Sequence, residues 1–164
     1  MKEVAVLKSI SHPHVIKYYD SFVDDHYLYI VMQYAAKGDL HTVTYFLYIQ
    51  ILKKRKLKVQ FFTEGELWAM AKQILDALKY LHTNNIVHRD VKTLNIFMAE
   101  DGSLLLGDLG VSKILKNDLG LYSRVGTPLY LPPEIIKYEK YDYKADIWGL
   151  GCVMYLLATL NHPF

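Results

Sequence analysis

The sequence predicts an α+β fold in two unequal parts: a small strand-bearing N-terminal part and a larger, mainly helical remainder. Three observations carry this. Residues 15–23 and 27–34 are rich in β-branched and aromatic side chains and flank Asp24-Asp25-His26, which reads as two strands joined by a turn. Thr63-Glu64-Gly65-Glu66 is a capping box, and Leu67, Met70, Ala71, Ile74, Leu78 and Leu81 follow it at helical spacing. Residues 145–159 are almost wholly apolar, the pattern of a central buried helix.

Composition narrows the function classes. A chain of 164 residues is one domain or a piece of a larger one, and an apolar fraction of 52% supports a packed core. A net charge of +2 argues against a nucleic-acid binder working by bulk electrostatics. The single cysteine, Cys152, cannot close an internal disulfide; it lies in an apolar run and reads as a buried, inert thiol in a reducing compartment. Met1-Lys2-Glu3 runs straight into amphipathic sequence without a signal peptide, and the longest apolar segment, 43–52, is too short to span a bilayer. The expectation is a soluble, intracellular protein with neither nucleic-acid nor membrane partner. The seven histidines show no metal-site spacing beyond His12-x-His14 beside Pro13.

The remaining elements follow in order. Residues 3–10 read as the end of a helix with Val6, Leu7 and Ile10 on one face, stopped by Ser11-His12-Pro13-His14. After Gly38-Asp39-Leu40, residues 43–52 show neither a clean helical period nor the flanks of a membrane span; their β-propensity and low charge are an aggregation liability. The basic run Lys53-Lys54-Arg55-Lys56-Leu57-Lys58 reads as a solvated surface loop in preference to a nuclear-localisation or nucleic-acid patch. Asn84-Asn85 ends the capped helix. Residues 95–98 and 104–107 read as strands turned by Asp101-Gly102. Residues 108–134 are too polar and Gly-rich for a core element. Asp146, near the start of the last helix, can accept backbone N–H groups from the segment around His88, or simply favour the helix dipole.

That segment is what the rest answers to: His88-Arg89-Asp90-Val91-Lys92-Thr93-Leu94-Asn95. Asn95 stands five residues after Asp90, and Asp108-Leu109-Gly110 begins eighteen after it. Gly126-Thr127-Pro128 leads into Pro132-Pro133-Glu134, and Asp146-Ile147-Trp148-Gly149-Leu150-Gly151 starts twelve residues after Glu134. Phosphoryl transfer needs a hydroxyl held in line with the phosphorus and charge neutralised on the phosphoryl oxygens. Asp90 suits the proton of that hydroxyl, and Lys92 suits the phosphate as a compact cation. Asn95 and Asp108 offer the hard oxygen ligands that magnesium prefers, and the hairpin between them aims both at one place. A solvated loop whose polar residues merely cap and turn the backbone explains one such segment, but not four in order.

Together these segments resemble the eukaryotic protein kinases, from the middle of the small lobe to the middle of the large one. The resemblance implies a protein-kinase-like bilobal fold. Residues 1–34 are then a remnant of the small lobe, and 35–164 an incomplete large lobe with an unusual insertion near 43–58, either a true insertion or an unspliced segment. It implies transfer of the ATP γ-phosphate to protein hydroxyls, with magnesium. Lys92 and Gly126-Thr127-Pro128 are similar to the serine/threonine type. His88-to-Phe97, Leu106-Gly107-Asp108-Leu109-Gly110 and residues 15–22 are similar to the NIMA-related kinases.

Roles follow from the resemblance residue by residue. Glu3 occupies the place of the helix glutamate that pairs with an ATP-holding lysine. Met32 is the gatekeeper behind adenine, Gln33 and Ala35 present backbone groups to it, and Phe97 floors its pocket. Leu7, Tyr18, His88 and Leu109 form the hydrophobic column linking the lobes, with Tyr18 bulky for that place and able to swing toward the active site. Arg89 before Asp90 implies control by a phosphate in the activation segment. Ser123 matches the phosphorylated position, and Thr127 lies where substrate docks. Val111 implies a modest threonine preference. Relatives of this kind work in the cytoplasm at centrosomes, microtubules and cilia. Leu109 for phenylalanine and Pro132 for alanine or serine are mild departures. A Gly-rich phosphate loop, the small-lobe lysine and the arginine that pairs with Glu134 are not within the 164 residues, which by themselves are expected to lack turnover. The alternative is a catalytically inactive truncated product acting as a protein-interaction module; the intact Asp90, Lys92, Asn95 and Asp108 favour the enzyme.

Overall fold

The computed structural model describes residues 7–53, 62–110, 112–114, 121 and 126–164. Glu3, Val111, Ser123 and residues 54–58 of the basic run lie outside them. Strands β1 (Tyr18–Asp24) and β2 (Tyr27–Met32) form an antiparallel hairpin. Asp25 and His26, at φ 42° and 70°, make its two-residue turn, both in the left-handed region that such hairpins require. Val15 bridges to Leu106, and the Ile16 N–H donates to the Leu106 carbonyl at 2.9 Å, tying this small part to the larger one. The hairpin turns large apolar side chains to solvent, among them Tyr19, Phe22, Tyr27 and Tyr29.

Residues 43–52, expected to show no regular period, belong to helix α1 (Leu40–Lys53). Asp39 starts it: its carboxylate accepts the Thr42 N–H at 2.8 Å and the Thr42 hydroxyl at 3.2 Å. Leu40 and Thr44 are buried and Val43 and Leu47 half-buried, whereas Tyr45, Phe46 and Tyr48 are exposed. An apolar outer face masked the period of the inner one. Helix α2 (Glu64–Thr83) forms as its capping box dictates. The Glu66 N–H donates to Thr63 Oγ1 at 3.2 Å, and the Thr63 N–H to Glu66 Oε2 at 2.7 Å. Ala71, Ile74, Ala77, Leu78 and Leu81 make its buried stripe. Asn84 caps its C-terminus and Asn85 turns the chain at φ 59°.

Four short strands follow in two antiparallel pairs. β3 (Ile86–Val87) pairs with β6 (Lys113–Ile114), and β4 (Ile96–Met98) with β5 (Leu104–Leu106). Asn95 lies not in β4 but in the single 3₁₀ turn Thr93–Asn95 before it, and Gly107 lies just past β5. In the β4–β5 turn only Gly102 takes a positive φ, 87°. Helices α3 (Pro133–Ile136) and α4 (Lys144–Thr159) complete the described fold. Residues 145–159 are helical, as expected, but α4 is not buried all round: Ile147 and Tyr155 face solvent, while Gly149, Leu150, Val153 and Leu157 enter the core. Burial of Cys152 pushes its thiol above the ordinary value, as suits an inert core cysteine. The main core joins α2, α4, β4 and β5 around Leu78, Leu81, Ile96, Leu106 and Val153, and the 88–95 segment lies directly on it. Among the described residues no helix is long and apolar enough to cross a membrane.

Candidate active site

The segment after β3 is held by α4 from behind. Asp146, fully buried, accepts the His88 N–H on Oδ2 at 2.9 Å and the Arg89 N–H on Oδ1 at 2.8 Å. Its expected contact with the loop backbone is therefore present. Arg89 adopts φ 72°, so these two bonds fix a left-handed turn immediately before Asp90. His88 is completely buried; its Nδ1 accepts the Asp90 N–H at 3.3 Å, which leaves Nε2–H to donate to the Gly107 carbonyl at 2.9 Å. One imidazole thus bridges the loop to the end of β5.

Asp90 gathers three side chains. Lys92 Nζ donates to Oδ2 at 2.5 Å, Asn95 Nδ2 to Oδ2 at 3.0 Å, and the Thr127 hydroxyl to Oδ1 at 2.9 Å. Lys92 also donates to Thr127 Oγ1 at 2.8 Å, closing a ring of Asp90, Lys92 and Thr127, to which Asn95 is joined through Asp90. Burial alone pushes the Asp90 carboxyl up. Hydrogen bonds from Lys92 and Thr127, the Lys92 charge and the Asn95 amide outweigh it, and the group is held below its ordinary value. A carboxylate offers about four lone-pair sites. Two donors occupy Oδ2 and one occupies Oδ1, so the site left for another hydroxyl is on Oδ1.

Asn95 spends its amide N–H₂ on the Asp90 carbonyl and carboxylate, leaving its side-chain oxygen as an acceptor. The Gly107 N–H donates to the Asn95 carbonyl at 2.9 Å, which puts Asp108 one residue beyond that junction. Asp108 is exposed, at φ 55°, with Oδ1 accepting the Gly110 N–H at 3.3 Å. The Asn95 amide oxygen and the exposed Asp108 carboxylate are hard oxygen donors of the kind that suits a divalent cation. Half-buried Phe97 presses on Gly107, where an added Cβ would stand 2.8 Å from the ring.

The other expected site residues divide. Met32 stands at the end of β2 with 41% of its surface exposed, so it is no plain core residue. The Gln33 N–H is taken by the Lys17 carbonyl at 2.7 Å, which leaves only its carbonyl to face a ligand. Ala35 is half-buried, its carbonyl accepting the Gly38 N–H. Leu7, His88 and Leu109 are buried, and half-buried Tyr18 packs against the same core. The Tyr18 hydroxyl donates to Ser21 Oγ at 2.8 Å. A shallow pocket beside Asp90 is lined by Gly126, Tyr130, Leu131, Pro132 and Ile135. His12 and His14 belong to no metal-binding group among the described residues: His12 stacks on Tyr80, and His14 Nδ1 meets the Leu104 carbonyl.

Two contacts are not evident from the sequence. His82 places Nε2 2.7 Å from Asp146 Oδ2, a contact across 64 positions that no local pattern shows. Gly149 lies against Val91; its place between apolar residues of a helix, where glycine is otherwise unfavourable, was the available signal.

A family model described as protein kinase domain matches residues 1–164. The chain belongs to the protein kinase domain family. It is 46% identical to the probable serine/threonine-protein kinase nek3 of Dictyostelium discoideum, over all of this chain and 14% of that relative. It is 41% identical to the serine/threonine-protein kinase Nek1 of Mus musculus, over 99% of the chain and 14% of the relative. Against the serine/threonine-protein kinase Nek5 of Homo sapiens the figure is 39%, over 99% and 22%. The resemblance to NIMA-related kinases therefore runs along the whole kinase chain, while the chain spans from 14% to 22% of these three relatives.

Proposed function

We propose that the chain carries the catalytic centre of a serine/threonine protein kinase that transfers the γ-phosphoryl group of ATP to protein hydroxyls. The observation that carries this reading is the set of donors Lys92, Thr127 and Asn95 around Asp90, which leaves one acceptor site on Asp90 Oδ1. Oδ1 orients the incoming hydroxyl and takes its proton. Lys92 sets the carboxylate and puts a cation beside the transferring group. Asn95 and Asp108 hold magnesium, which neutralises phosphate charge when bound. Met32, Gln33, Ala35 and Phe97 form the adenine side, and Glu3 pairs with the lysine that holds ATP. The kinase family match weighs against the non-catalytic interaction module.

On this reading residues 1–34 belong to the small lobe and 35–164 to the large lobe, with 43–58 its unusual insertion. The apolar pocket of Leu131, Pro132 and Ile135 seats the substrate residue after the acceptor. A phosphate on Ser123 pairs with Arg89 and orders the activation segment. Tyr18 swings toward the active site to hold an inactive arrangement, so Tyr18→Ala raises basal activity. The cytoplasm, with cytoskeletal or ciliary association, is the setting the relatives suggest. The test is a radiolabelled-ATP assay of the full-length protein with magnesium on serine, threonine and tyrosine peptide arrays. Label on serine and threonine, with threonine modestly ahead, supports the reading; label on tyrosine alone, or none, overturns it.

A further inference from the structure

We propose that His82 is a positioning residue for phosphoryl transfer, acting on Asp90 through Asp146 and the backbone turn at His88 and Arg89. The inference rests on the kinase reading above. Three donors converge on the Asp146 carboxylate, which has no exposed surface: the N–H groups of His88 and Arg89, and His82 Nε2 at 2.7 Å. The two backbone donors belong to the turn it must hold. Arg89 lies at φ 72°, a conformation an L-residue leaves readily unless its surroundings impose it. His82 is the one donor of the three that comes from another element, the last turn of α2.

A buried carboxylate short of hydrogen-bond donors is costly. His82 and the His88 N–H together engage Oδ2, while the Arg89 N–H engages Oδ1, so the carboxylate is held from both the loop and α2. The His82 ring is held in place by α4: it lies tilted against Tyr143 with centroids 4.8 Å apart, and the Tyr143 hydroxyl donates to Asn85 Oδ1 at 3.1 Å. The Tyr143 ring and the Asn85 side chain thus lock the end of α2 to the start of α4. Among the described residues the His82 ring meets Asp146 and Tyr143, so its effect on Asp90 is on where that carboxylate points.

The test is steady-state kinetics of the full-length protein carrying His82→Phe, which fills the space without a donor, and His82→Gln, which restores an N–H at the Nε2 position. Misaiming a reacting group costs up to about 10²-fold, so His82→Phe is expected to lower kcat by about 10- to 100-fold with both KM values within about two-fold. His82→Gln is expected to recover kcat to within about three-fold of wild type. Equal kcat in His82→Phe and wild type, or no recovery in His82→Gln, overturns the proposal. Asp90→Asn in the same assay separates the two readings, since full activity there overturns the kinase assignment itself. If His82→Phe does not fold, nitrogen NMR of the wild-type imidazole decides: a proton on Nε2 supports the proposal and a bare Nε2 overturns it.

Discussion

Gly149 of α4 packs against Val91 so closely that a Cβ built on it would lie 2.8 Å from the Val91 carbonyl oxygen and 3.1 Å from the Val91 Cβ. The helix backbone is thus the surface on which the residue after Asp90 rests. Gly149→Ala is expected to destabilise the fold by about 1–3 kcal/mol, as overpacking does, and to lower kcat by shifting the loop. Gly151, one half-turn on, has nothing within 4 Å of its built Cβ. Gly151→Ala is expected to stabilise by about 0.5–1 kcal/mol through helix propensity. Thermal unfolding of the two variants checks the pair, and equal effects would contradict the close packing.

Thr127 joins the two charged groups of the site, accepting from Lys92 and donating to Asp90. A hydrogen bond to a charged group contributes about 1.5–3 kcal/mol, so Thr127→Val is expected to lower kcat by about ten-fold or more. Thr127→Ser keeps the hydroxyl and much of the rate. Peptide kinetics on the two variants test this. Indifference to Thr127→Val would mean that the ring around Asp90 does not set its geometry.

Much of this was legible in sequence because the relevant patterns are local. Thr63 and Glu66 announce α2, and Asp90 and Asn95 stand at an offset that the loop closes into a hydrogen bond. Helix α1 was not legible, because Tyr45, Phe46 and Tyr48 put apolar residues on its solvent side and erased the amphipathic contrast. Its signal was Asp39 as a cap, a single residue that also fits a turn. Nor was the role of His82 legible, since its partner Asp146 is 64 positions away. Exposure was hard to read for the same reason: Met32 and the β1–β2 side chains have strand-core composition, but the described residues do not cover them.

The capping box gives a test of stability with a pH sign. Thr63→Ala is expected to cost about 1 kcal/mol in denaturant unfolding. Hydrogen bonds from the Thr63 backbone and hydroxyl hold the Glu66 carboxyl below its ordinary 4.5. The ionised Glu66 therefore stabilises the fold above that value, and the contribution is lost as pH falls through the lower folded value. Wild type and Glu66→Gln should differ in unfolding temperature at pH 7 and converge in acid. A difference that grows on acidification would contradict the assignment.

On the proposed function, the Asp90 carboxylate receives the acceptor hydroxyl's proton while Asn95 and Asp108 hold the metal. Asp90 lies below its ordinary 3.8, so it is ionised throughout the neutral range, and a loss of rate between pH 7 and 5 must come from another group. The most direct measurement is magnesium-dependent ATP binding and turnover of Asp90→Asn beside Asp108→Ala in the full-length protein. Asp90→Asn should bind magnesium–ATP like wild type while kcat falls by about 10²- to 10⁴-fold, and Asp108→Ala should lose productive binding. Turnover near the wild-type rate in Asp90→Asn would contradict the account.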